Sequence, residues 1–157
     1  MEVRPAHRED LVSIGRVAHA AVWTSCTGLL HPATISASLE RDYSPTSLKR
    51  RLLAGGLVVA IEGEGRVVGF AEAGIEDEHV SVKVHTAESG WRNPMRSLVD
   101  AVRSRFPGRP MCADVLLGNL EGERSCESAG FIPGEVIQRT LFGEQVVERR
   151  WWYSLPR

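Results

Sequence analysis

A chain of 157 residues has room for one hydrophobic core of ordinary size and not for two. Its 43% hydrophobic and 25% charged residues are the balance of a globular protein, which excludes a wholly disordered chain. A net charge of −1 speaks against a nucleic-acid binder working through a broad basic surface, and no apolar run approaches the roughly 20 residues that span a bilayer.

Residues 2–5 read as a short strand ended by Pro5. Over 8–22 the apolar positions Leu11, Ile14, Val17, Ala18, Ala21 and Val22 fall on one helical face, with Glu9 and Asp10 suited to the positive end of the helix dipole. The stretch 23–45 is less regular. Trp23 to Pro32 reads as a loop, Pro32 as the opening of a second helix, and Asp42-Tyr43-Ser44-Pro45 as its break. A further helical piece over 47–53 precedes Gly55-Gly56. The period then changes, and 57–73 reads as a β-hairpin turning at Glu62-Gly-Glu-Gly65. Residues 79–85 alternate strictly, with Val80, Val82 and Val84 on one face and His79, Ser81, Lys83 and His85 on the other. A helix over 94–106 follows, capped by Asn93 and opened by Pro94. Then come a buried-type strand over 111–117, a helix over 119–129 from the N-cap Asn119 to Gly130, and two strands at about 135–142 and 145–155. The order β-α-α-β-β-β-α-β-α-β-β predicts an α+β fold in a single domain over 1–157. Its central sheet is mixed and mostly antiparallel, with one parallel crossover in the middle β-α-β unit.

Cys26, Cys112 and Cys126 are an odd number at wide spacing, neither a disulfide framework nor a zinc ligand set, so no metal site is expected. Reduced thiols, and an opening decapeptide that is charged and lacks an apolar leader core, make the cytoplasm the expected compartment. Only Lys49 and Lys83 are lysines among the 19 basic residues, a bias toward arginine that reads as compositional.

Three stretches, in this order and at these separations, resemble the GNAT N-acyltransferase family. Val3-Arg4-Pro5-Ala6-x-x-x-Asp10-Leu11-x-x-Ile14 is similar to its first strand and helix. The hairpin 57–73 followed by Val82-x-Val84 is similar to the strands before its cofactor loop. Asn119-x6-Cys126-Glu127-x-x-Gly130-Phe131 resembles its Asn…Tyr-Glu-x-x-Gly-Phe signature. The resemblance covers nearly the whole chain and implies transfer of an acetyl group from acetyl-CoA to a primary amine of a small molecule or protein. It also implies that strand 79–85 splays from strand 111–117, that backbone at Val82 and Val84 pairs with the pantetheine arm, and that Asn119 contacts that arm while also capping its helix.

Two departures stand out. The family's loop, Arg/Gln-x-x-Gly-x-Gly/Ala, surrounds pyrophosphate with backbone N–H groups at a helix N-terminus. Here the stretch is Ser89-Gly90-Trp91-Arg92-Asn93-Pro94, in which only Gly90 keeps the glycine pattern. Pro94 removes one donor and Asn93, as a cap, occupies another. Either Arg92 and Arg96 replace the lost amides with guanidinium–phosphate pairs, or the site has decayed and the chain is a non-catalytic domain binding a ligand or partner. At the second departure Cys126 stands where the family has a tyrosine that protonates the leaving thiolate. It is either that acid or a small packed thiol. Glu76 and Glu78, just before strand 79–85, are the carboxylate candidates for the general base, with His79 and His85 as alternatives. Exposed terminal strands suit a homodimer, and no partner nucleic acid or membrane is expected.

Overall fold

The structure is a computed structural model that describes residues 1–87 and 93–153. Strand β1 (Glu2–Pro5) leads through a short 3-10 turn into α1 (Leu11–Cys26), α2 (Pro32–Tyr43) and α3 (Pro45–Ala54). Strands β2 (Leu57–Glu62), β3 (Arg66–Glu76) and β4 (His79–Thr86) follow, then α4 (Met95–Arg105), β5 (Met111–Leu116), α5 (Leu120–Ser128), β6 (Phe131–Leu141) and β7 (Glu144–Tyr153). The seven strands form one sheet in the order β1-β2-β3-β4-β5-β7-β6, antiparallel throughout except at β4–β5. None of the described helices is long and apolar enough to cross a membrane.

The helices depart from the sequence expectation in two places. The three helical pieces read between β1 and β2 are all present, one more than the order β-α-α-β counts, because Ser44 both ends α2 and caps α3, its Oγ accepting from the Ser47 N–H at 3.3 Å, while Pro45 starts the new helix. Helix α1 also runs on through Trp23-Thr-Ser-Cys26, read as loop. Nothing breaks it before Gly28, which holds a φ of +85°. Among the strands, β6 starts earlier than expected, at Phe131. It is the outer strand, where Pro133 can sit without a ladder N–H, and the register shifts between Pro133 and Val136.

Alternation along the strands divides the core between the two faces of the sheet. On one face Val58, Ala60, Val80, Val82, Met111, Ala113 and Trp151 pack under Leu98, Val99 and Val102 of α4 and Cys126 of α5. On the other, Leu57, Val59 and Phe70 pack under Ile14 and Ala18 of α1, Ile35 and Leu39 of α2, and Leu48 of α3. Helices α1–α3 sit over β2–β4, whereas β5–β7 carry Asp114, Arg139, Glu148 and Arg150 on that same face. That uneven cover frames the site.

Candidate functional site

The parallel ladder between β4 and β5 is only two residue pairs long, Val80 with Met111 and Ser81 with Cys112. From there β4 stays on β3, as far as Thr86 opposite Gly69, and β5 stays on β7, as far as Leu116 opposite Glu148. The sheet therefore parts into a wedge-shaped gap between residues 82–86 and 113–116. Backbone groups alternate in direction along a strand. The Val80 N–H donates toward β5, to the Pro110 carbonyl at 2.9 Å, while the Ala87 N–H donates the other way, to Val68 at 2.9 Å. The N–H groups of Val82, Val84 and Thr86 thus point to the β5 side. In a parallel pair each residue bonds to the neighbours of its partner, so Val82 is the last that β5 can reach. Val84 and Thr86 present backbone donors to the gap, and a donor at a sheet edge needs an acceptor. An extended ligand laid into the gap as a strand supplies one.

The N-terminus of α4 sits at the open end of this gap because position 69 is glycine. A Cβ there would stand 2.9 Å from Pro94 Cγ and 3.1 Å from the His85 carbonyl oxygen. Asn93 does cap: its Oδ1 accepts from the Met95 N–H at 2.9 Å, and Pro94 has no N–H to offer. Arg96 is exposed and donates to the Ser128 carbonyl at 3.0 Å, at the negative end of α5. Ser89, Gly90 and Arg92 lie outside the described residues. Asn119 caps α5, its Oδ1 accepting from the Gly122 N–H at 3.0 Å.

Of the remaining catalytic candidates, Cys126 is packed in the core, Glu76 and Glu78 stand away from the gap, and His85 is held by Tyr43. Cys126 is 2% exposed within the core, and burial pushes its thiol up to about 12. The thiol is screened by its neighbours and a weaker acid than the thiol it was expected to protonate. Glu76 and Glu78 flank the β3–β4 turn at the closed end of the β4–β5 pair, with Glu76 Oε2 3.5 Å from His79 Nε2. Six residues of extended chain separate Glu78 from Val84, about 20 Å. His85 lies beside the gap but is locked, its Nε2 2.9 Å from the Tyr43 hydroxyl, and burial lowers its pKa to about 4. It is a neutral wall residue.

A charged network that the sequence reading missed lies on the face of β5–β7 left bare by the helices. Asp114 accepts two hydrogen bonds from Arg150, at 2.9 and 3.1 Å, and one from Arg139 at 2.6 Å, which together hold its carboxyl below the ordinary range despite its burial. Arg139 Nε reaches Glu148 Oε1 at 2.9 Å. Glu148, opposite Leu116 at the open end of β5, has its pKa raised, foremost by burial. Its neighbours in charge are Arg139, Asp114, Lys83 and Arg150, and its own charge is felt at Cys26 near the end of α1. Strand alternation carries the signal: Val146, Glu148 and Arg150 share a face, with Val146 only 3% exposed. Nearby, Glu144 ties the α1–α2 connection to the β6–β7 turn, accepting from the His31 N–H at 3.0 and 3.2 Å.

No protein-family model matches this sequence, and no curated protein matches it significantly. Solved structures do. A GCN5-related N-acetyltransferase from Rhodopseudomonas palustris superposes with a TM-score of 0.75 at 16% identity, covering 98% of this chain and 95% of its own. PaiA N-acetyltransferase from Thermoplasma acidophilum, solved with coenzyme A, gives 0.73 at 15% identity over 94% and 96%. YncA from Salmonella typhimurium, solved with acetyl-CoA, gives 0.68 at 20% identity over 100% and 95%. Together with the parted β4–β5 pair, these matches show that the chain has the GNAT N-acetyltransferase fold.

Proposed function

We propose that this protein is an acetyl-CoA-dependent N-acetyltransferase that moves an acetyl group from the thioester to a primary amine, as one catalytic domain. The observation that carries the reading is the two-pair ladder at β4–β5, which leaves the Val84 and Thr86 N–H groups facing the gap beyond it. The pantetheine arm of acetyl-CoA has the amide acceptors and the extended shape to fill that gap. Two of the solved structures with this fold hold coenzyme A or acetyl-CoA, which supports the same occupant here. Three cysteines free of disulfides suit a cytoplasmic enzyme.

The chain's own groups then divide the work. Backbone at Val82 and Val84 aligns the arm, and the Val84 N–H polarises the thioester carbonyl as it gains negative charge. At the N-terminus of α4, Asn93 and Pro94 leave few amide donors, so phosphate binding falls to Arg92 and Arg96, with Ser89 and Gly90 contributing backbone. Arg96 would exchange the Ser128 carbonyl for a phosphate oxygen. Asn119 keeps its Oδ1 on the Gly122 N–H and has its amide NH₂ to offer the arm. Alignment of the two reactants in one cleft provides most of the acceleration. Cys126 packs and Glu76 and Glu78 stand too far off for proton transfer, so none of the three is assigned a catalytic role.

Calorimetric titration of the full chain with acetyl-CoA and with CoA tests this reading. Saturable binding of both, with release of CoA when an amine is added, is the expected result. No binding at millimolar ligand would overturn it. The depleted donor set at α4 favours one alternative, a non-catalytic ligand- or partner-binding domain with a decayed cofactor site, which predicts no CoA binding and no turnover.

A further inference from the structure

The face beside the gap carries charges of two kinds. Most are locked in pairs: Asp42 with Arg41 and Arg51, Glu72 with Arg51, and Asp114 with Arg139 and Arg150. Two are less engaged. Glu148 gives one oxygen, Oε1, to Arg139 at 2.9 Å, and Oε2 accepts no hydrogen bond among the described residues. Lys83, on β4 at the level of Asp114 and on the other side of the gap from β5 and β7, takes part in no hydrogen bond or ion pair among the described residues, although its charge is felt at Glu148, Asp42 and His85. Register places the two on one face: Ser81 and Lys83 share a side of β4, Ser81 pairs with Cys112, and Cys112, Asp114 and Leu116 share that side of β5 with Arg150 and Glu148 of β7. A carboxylate oxygen and an ammonium thus lie on one face of the sheet, on either side of the gap that the thioester is expected to fill. Lys83 is, moreover, one of two lysines in a chain that otherwise uses arginine for its cations.

We propose that the acceptor is a small amine that also bears a carboxylate, an amino-acid-like zwitterion, held with its ammonium on Glu148 Oε2 and its carboxylate on Lys83. This rests on the acetyl-transfer reading and names its substrate class. Glu148 takes one proton from the ammonium. The freed amine forms the N–C bond, the C–S bond breaks, and the second nitrogen proton leaves with the CoA thiolate, giving amide, CoA thiol and one proton. Burial raises the proton affinity of Glu148 while Arg139, Lys83 and Arg150 oppose that and Asp114 adds to it. A small acceptor fits better than a protein tail, because Glu144 ties the α1–α2 connection down onto the β6–β7 turn at the rim of this face.

The test is CoA release by the full chain with matched amines, alanine against ethylamine and γ-aminobutyrate against butylamine, alongside calorimetry of CoA and of each amine in the presence of CoA. A carboxylate-bearing amine is expected to win its pair by at least about tenfold in kcat/KM, the factor one charged hydrogen bond supplies. Lys83→Ala should abolish that preference, Lys83→Arg should restore it, and Glu148→Gln should depress kcat for both members and remove the rising limb of the pH profile. CoA affinity should be unaltered in all three variants. Binding of CoA with no preference for the carboxylate, a preference that survives Lys83→Ala, or neither binding nor turnover of any carboxylate-bearing amine overturns the proposal and leaves the acetyltransferase reading standing. Failure to bind CoA defeats both.

Discussion

Replacing His85 by glutamine should flatten the acid sensitivity of folding. The imidazole is enclosed by Tyr43 and Phe70, with ring centroids 5.4 and 5.2 Å away, and its Nε2 is 2.9 Å from the Tyr43 hydroxyl. Burial first, and the nearby Lys83 charge second, lower its pKa from 6.5 to about 4. The folded pKa lies below the unfolded one, so between them the unfolded chain binds the extra proton. The stability linked to neutral His85 is complete above pH 6.5, falls as pH drops through that window, and is gone below about pH 4. From pH 7 to pH 4.5 the loss comes to about 2 kcal/mol. Asp10, Asp42 and Asp114, whose pKa values are lowered from 3.8, add their losses mainly below this window. Glu148, raised from 4.5, acts in the opposite direction within it. The assay is therefore a difference: urea unfolding of wild type and His85→Gln at pH 7 and at pH 4.5. Glutamine stays neutral, so the stability gap between the proteins should move by about 2 kcal/mol in favour of the variant on acidification. Parallel pH dependence would refute the claim that His85 is buried in its neutral form.

Three other substitutions probe the frame of the site. Asn119→Ala removes the α5 cap and should lower stability by about 1 kcal/mol in thermal or denaturant unfolding. Cys126→Ala should cost about 1 kcal/mol of stability from lost packing while leaving the pH profile of acetyl transfer unaltered; a shifted profile would restore the thiol as the acid. Gly69→Ala forces Pro94 off the sheet and should destabilise by about 1–3 kcal/mol, with weaker CoA binding by calorimetry because the start of α4 moves.

The fold was legible where periodicity was strong. The alternation at 79–85 and the apolar face of 94–106 became β4 and α4 within a residue or so. What escaped depends on contacts distant in sequence. Trp23 to Cys26 has no apolar period, yet these residues continue α1. The gap was implied by resemblance alone, since where a parallel ladder stops is set by how β3 and β7 draw β4 and β5 apart. Glu148 sits in a run of valines, glutamate and arginines in which any charge looks surface-borne; only the pairing of β7 with β5 puts it on one face with Asp114 and Lys83. Cys126 was a candidate acid by resemblance alone; the sequence does not show that its thiol lies inside the core, 2% exposed.

Amide NMR of the full chain during titration with CoA tests the central claim most directly. If CoA lies along the open edge of β4, the Val84 and Thr86 amide resonances shift strongly, together with those at the start of α4, while Val80, already bonded to Pro110, stays nearly still. Saturable binding that leaves Val84 and Thr86 unmoved would contradict it.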